Sequence, residues 1–145
     1  MTKGIPILDS LKPGLKHEAA MKVTEGMLVP NVSANLFAFA DMPPVFATAM
    51  MVGFIEATCI ECLRGHLDGQ EHTVGTHVNV SHIAATPENM SVRAVVELTQ
   101  IDRKMLTFKV EAFDDKGLIG EGSHQRAVIN LKRFVSQVSE KSANG

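Results

Sequence analysis

Residues 45–63 read VFATAMMVGFIEATCIECL, a mostly apolar stretch without proline. Ala49, Val52, Cys59 and Leu63 follow Val45 at helical intervals of three, four or seven residues. The opposite side carries Phe46, Met50, Gly53, Phe54, Ala57 and Ile60, so the predicted helix is apolar all round. Such a helix is buried rather than amphipathic. In front of it, Asp41 offers an oxygen acceptor, and Pro43 and Pro44 are pre-set for a first turn. Gly65 supplies a stop. At roughly 20 residues the helix spans about 30 Å, the width of a small domain. Something must therefore wrap around it.

The flanking sequence supplies the wrapping. Beyond the helix the period becomes two. Val74, Val78 and Val80 are predicted on one face, with Thr73, His77 and Asn79 on the other. Val92, Ala94, Val96 and Leu98 alternate with polar residues, and so do Leu106, Phe108, Val110 and Ala112. Ala127, Ile129 and Leu131 extend the same habit. The breaks at Thr86–Asn89, Asp102–Lys104 and Asp114–Gly117 are turn chemistry, and such short connections join antiparallel neighbours. Before the helix, a strand is expected near Lys16–Val23 and a short second segment near Asn31–Phe37. The expected fold is α+β, a long central helix wrapped by a curved antiparallel β-sheet. It forms one domain over residues 1–145, with residues 1–10 and 140–145 as loose ends.

Composition narrows the function. The chain has 145 residues, 45% apolar and 21% charged, which suits a single domain with its own core. A net charge of −2, with seven Phe and no Trp or Tyr, argues against a nucleic-acid partner. The longest uncharged apolar run, Met42–Ile55, is too short for a bilayer span, so no membrane partner is expected. The N-terminus lacks a basic-then-apolar leader pattern, and two cysteines cannot make a disulfide framework, which together suggest the cytoplasm. No phosphate loop, dinucleotide fingerprint, nucleophile elbow or zinc-protease motif occurs.

Three residues stand out against this background. Glu56 is a carboxylate within the apolar helix, where a charge needs a partner; it either faces a solvent or subunit stripe or has a tuned pKa beside a pocket. His82 continues the face of Val78 and Val80 toward the helix, where a lone histidine is more often structural than catalytic. Thr48 in a buried helix commonly bonds a carbonyl one turn back. Thr48 and Glu56 lie about 12 Å apart along the axis and about 80° around it, so they cannot touch. Either an imidazole bridges them, or two sites at a dimer interface each take residues from both chains. Cys59 and Cys62 form a C-x-x-C late in the helix, the wrong place for a low-pKa redox thiol. His66 and His72 lack metal-ligand spacing. His124 and Arg126 share a face of the last strand, either solvated or lining a site from outside the sheet, and Gly120 and Gly122 mark a bulge or close backbone approach.

The blocks Met42–Glu56, Val74–Pro87 and Gly122–Asn130 resemble, in order and spacing, the hotdog-fold thioesterases of the fluoroacetyl-CoA thioesterase type. The resemblance implies the hotdog fold, a dimer or higher assembly with sites at the subunit interface, and an acyl-CoA substrate. It implies Thr48, Glu56 and His82 as the catalytic set, a backbone contact to the acyl group at Gly75 and an active-site role for Arg126. Phe39 matches one member of the family's gating Phe pair, but the other falls at Met42, which lacks a ring. The expectation is a homodimeric thioester hydrolase that converts a short-chain acyl-CoA to carboxylic acid and CoA. It needs no metal and no cofactor, CoA being part of the substrate. The competing readings are a non-catalytic acyl-CoA binding or sensing module and an enoyl-CoA hydratase. The joint presence of Thr48, Glu56 and His82 favours hydrolysis.

Overall fold

The computed structural model describes residues 9–144. Five strands, β1 (Lys16–Lys22), β2 (Glu71–Val80), β3 (Ser91–Asp102), β4 (Met105–Asp114) and β5 (Gly117–Asn130), form one antiparallel sheet in the order β1-β3-β4-β5-β2. Helix α1 (Thr48–Leu63) lies against this sheet, and α2 (Leu131–Asn144) follows β5. The central strands behave as the alternation predicts. Val92, Ala94, Val96 and Leu98 of β3, and Leu106, Phe108, Val110 and Ala112 of β4, are all buried. They meet Met51, Phe54, Ile55, Cys59, Cys62 and Leu63 of α1 in one core. Each Val, Leu, Ile, Phe or Met side chain among them contributes about 1.5–3 kcal/mol of burial, which is why local preferences yield to this packing elsewhere.

The helix begins later than the prolines suggest. Val45 and Phe46 make isolated bridges to Pro87 and Leu28. The Phe46 N–H donates to the Thr86 carbonyl (2.8 Å) and the Ala47 N–H to the Met27 carbonyl (2.9 Å). These long-range bonds hold the backbone extended through Ala47, so Thr48 is the first helical residue and Asp41 is not the cap. Sixteen residues give a length of about 24 Å rather than 30 Å. Nor is α1 covered on every side, since Ala49, Gly53, Ala57 and Ile60 are exposed.

Three further expectations are corrected. Asn31–Phe37 contains no strand; Val29–Asn31 and Phe37–Phe39 are short 3-10 turns. Asn31 Nδ2 donates to the Glu25 carbonyl, and Ser33 Oγ accepts the Asn35 N–H, side-chain bonds that compete with extended structure. The polar tail at residues 140–145 is helical as far as Asn144, and Leu131 belongs to that helix rather than to a strand. Asn130 Oδ1 accepts the Arg133 N–H and so caps it. Residues 1–8 of the other expected loose end, and Gly145, lie outside the described residues. Finally, the inward face of β5 is His124, Arg126 and Val128, not Ala127 and Ile129.

Candidate active site

A bulge in β2 organises the site. The register of β2 on β5 shifts between Gly75 and His77. Before the shift Thr73 and Gly75 oppose Val128 and Arg126; after it Val78 and Val80 oppose His124 and Gly122. One extra residue reverses the pleat. Val74 is therefore not on the face of Val78 and Val80, contrary to the simple alternation. Instead Thr73 and Gly75 join Val78 and Val80 in facing α1.

Glu56 projects from α1 into this region. Of the two placements expected for it, a solvent or subunit stripe and a position beside a pocket, it combines features of both: its side chain keeps 37% of its exposure and also has a buried partner. Arg126 Nη1 donates to Glu56 Oε2 at 2.9 Å. The guanidinium is buried and held by three further bonds: Nε donates to Thr73 Oγ1 (2.8 Å), Nη2 to the Thr73 carbonyl (3.0 Å), and Nη1 also reaches His124 Nε2 (3.1 Å). Gly75 stands directly over the carboxylate, since a Cβ there would overlap Glu56 Oε2 and lie 3.3 Å from His124 Cε1.

His124 is 1% exposed. Its Nδ1 lies 2.8 Å from the His77 carbonyl, an acceptor only, so Nδ1 carries the proton and Nε2 is the acceptor for Arg126. Burial lowers its pKa, the His77 carbonyl bond opposes this, and the Arg126 charge lowers it further. The 3.7 Å approach of Nε2 to Glu56 Oε2 is thus a contact of a neutral ring, not an ion pair.

Thr48 and His82 form a second cluster. Thr48 Oγ1 and His82 Nδ1 are 2.7 Å apart. Thr48 does not bond back into its own helix, because as the first helical residue it has no preceding turn. His82 lies just past the end of β2, with the Phe46 ring edge-on to it at 6.4 Å. Burial lowers the His82 pKa, and its Nε2 is buried without a hydrogen-bond partner among the described residues. An open hollow of about 270 Å³ adjoins the pair, walled by Val29, Val45, Ile83, Ala84 and Ala85.

Within one chain the structure thus joins Thr48 to His82, and Glu56 to Arg126 beside Gly75. No hydrogen bond or ion pair links the two clusters among the described residues. Phe39 is part-buried in a 3-10 turn, and Met42 is 45% exposed in the segment leading to α1. Sequence reasoning overlooked Thr73 and left His124 unassigned. The two-residue spacings Thr73–Gly75 and His124–Arg126 were the available signal, but the inverted face of β5 concealed it.

Cys59 and Cys62 are buried free thiols, and burial is the chief cause that raises both pKa values. A thiol held protonated is a poor nucleophile. Replacing both with Ala is expected to leave turnover within a few-fold, measured by thiol release at matched folded yield.

One curved antiparallel sheet around one central helix, with a carboxylate and a histidine on facing elements, defines a hotdog thioesterase. Comparison with known proteins agrees. Residues 23–132 match the family model described as fluoroacetyl-CoA-specific thioesterase. The fluoroacetyl-CoA thioesterase of Streptantibioticus cattleyicolor is 39% identical over 107 residues, 74% of this chain and 77% of that protein. A solved structure of the fluoroacetyl-CoA thioesterase FlK superposes with a TM-score of 0.88 at 34% identity, covering 92% of this chain and 98% of that one. A thioesterase-superfamily protein of Thermus thermophilus shares the fold, with a TM-score of 0.80 at 22% identity over 95% of this chain and all of that one. The chain belongs to the fluoroacetyl-CoA-specific thioesterase family and is a thioester hydrolase.

Proposed function

We propose that this protein hydrolyses short-chain acyl-CoA thioesters, with Glu56 as general base and His82 and Thr48 as its proton-transfer pair. The observation that carries this reading is the Glu56 carboxylate. One of its oxygens takes the Arg126 bond, while the side chain remains open enough to meet a water molecule. Glu56 removes a proton from water, and the water oxygen bonds to the thioester carbonyl carbon. Collapse of the tetrahedral adduct breaks the C–S bond. The proton that Glu56 took from water passes through His82 to the departing sulfur, so that Glu56 and His82 both end in their starting states. Thr48 orients the imidazole, and the Gly75 N–H is the candidate donor to the oxyanion. Water is the co-reactant, with no metal or cofactor in the scheme.

The acyl group belongs in the hollow beside Thr48 and His82, whose aliphatic walls suit a short hydrocarbon chain. Fluoroacetyl-CoA is expected to enjoy no strong preference, because Met42 stands where the resemblance places a gating Phe. A panel of acyl-CoAs with a free-thiol readout tests this. Short alkyl acyl-CoAs are expected to turn over at least as well as fluoroacetyl-CoA. Binding without thiol release from any member would sink the hydrolase scheme.

The two clusters are completed, in this reading, across a homodimer, with Thr48 and His82 of one copy serving Glu56 of the other. Three features support it: the exposed Ala49, Gly53, Ala57 and Ile60 face of α1, the edge of β2 that no strand among the described residues pairs, and the exposed Val78 and Ile83 near the clusters. Covering such a face is typical of obligate interfaces. Light scattering should give twice the chain mass of 15.7 kDa. Co-refolding equal amounts of the Glu56→Gln and His82→Ala proteins should recover about a quarter of normal turnover, since half the dimers then hold one intact site. A monomeric mass, or mixtures as inactive as their components, would exclude the shared site. The two free thiols suit the cytoplasm, where disulfides are rare; no described helix is long and apolar enough to cross a membrane.

A further inference from the structure

Four of the five Arg126 N–H groups have partners, and those partners are not equivalent. Thr73 takes two, through Oγ1 and its carbonyl, and fixes one side of the guanidinium. The remaining two belong to a single nitrogen, Nη1. One goes to Glu56 Oε2 at 2.9 Å and the other to His124 Nε2 at 3.1 Å. His124 can accept only because its own proton is committed, through Nδ1, to the His77 carbonyl at 2.8 Å. That carbonyl is available at the point where the β2 register shifts.

We infer that His124 is a positioning residue for hydrolysis: as the Nδ1–H tautomer it occupies the second Nη1 proton of Arg126, so Arg126 restrains Glu56 through one oxygen and leaves the other free to act as base. The inference rests on Glu56 being the base. Its physical basis is the contrast between one-point and two-point pairing. A guanidinium whose second Nη1 proton is unclaimed can close further on the carboxylate, and a carboxylate bonded at both oxygens is a weaker base. His124 is buried among these groups, beside Val78, Val80 and Val52, with Glu56 and Arg126 as its charged neighbours.

Two substitutions separate the roles of the two ring nitrogens. His124→Asn keeps a donor for the His77 carbonyl but has no acceptor at the Nε2 position. His124→Gln places an amide oxygen near that position. His124→Asn is expected to lower kcat roughly tenfold to a hundredfold, the scale of one lost charge-assisted hydrogen bond, with KM changed by only a few-fold. His124→Gln is expected to recover most of kcat. In a Glu56→Gln background, His124→Asn should cause no further loss. Normal kcat in folded His124→Asn, equal losses in Asn and Gln variants of equal thermal stability, or a full additional loss in the Glu56→Gln background would each overturn the inference while leaving Glu56 as base. Near-normal turnover of Glu56→Gln itself would instead remove the base and the inference with it. The wild-type protein offers a check independent of refolding: nitrogen NMR of His124 should show a protonated Nδ1 and a bare Nε2. A protonated Nε2 would refute the assignment.

Discussion

Replacing Glu56 with Gln is expected to lower turnover on the order of 10² or more, the scale of a general acid–base group. That loss equals about 2.7 kcal/mol or more of transition-state stabilisation. Gln preserves the size of the side chain, and its amide oxygen can still accept from Arg126 Nη1 at the Oε2 position. What it lacks is a carboxylate oxygen able to take a proton from water. The fold should be unchanged, because the side chain is part-exposed and belongs to neither the α1–β3 nor the α1–β4 packing. Thiol release from acyl-CoA and thermal unfolding, measured on the same sample, separate the two effects. A folded Glu56→Gln protein with near-normal turnover would exclude the carboxylate as base. His82→Ala should give a loss of similar order, since it removes the ring that Thr48 orients.

Gly75→Ala should nearly abolish activity at little cost in stability. A Cβ at Gly75 overlaps Glu56 Oε2 and comes within 3.4 Å of Arg126 Nη1. The obstructed atom is the far end of a flexible side chain, so the carboxylate can swing aside without disturbing the backbone. Swinging aside breaks the 2.9 Å bond to Arg126 and carries the base out of place. Displacements of about 1 Å in a reacting group can cost on the order of 10² in rate. Gly122→Ala provides the contrast. There a Cβ overlaps the Asn79 backbone carbonyl, which is held in the β2–β5 ladder and cannot give way. That variant should lose thermal stability first. Gly75→Ala with normal turnover would show that Glu56 does not work from the position seen here.

Much of the architecture was written in the order of apolar residues. The period of two in β3 and β4 placed eight buried side chains correctly, because those strands are regular and one face of each is wholly covered. The proline-free run before Gly65 identified α1, and a carboxylate within it singled out Glu56. Thr48, Glu56, His82, Gly75 and Arg126 were all named from sequence, in part from the family resemblance. Their grouping was not legible there. A single bulged residue near Gly75 reverses the pleat of β2, and no local pattern marks it. Polar residues facing inward on β5 look like a solvent face until Glu56, Thr73 and the His77 carbonyl arrive to satisfy them. The start of α1 was likewise decided at a distance, by bonds from residues 46 and 47 to Thr86 and Met27 rather than by the prolines beside it. Periodicity records which residues leave water, a property of each side chain and its near neighbours. Which polar groups share a proton in the site depends on partners as distant as Glu56 and Arg126, 70 positions apart, and only the folded chain brings those together.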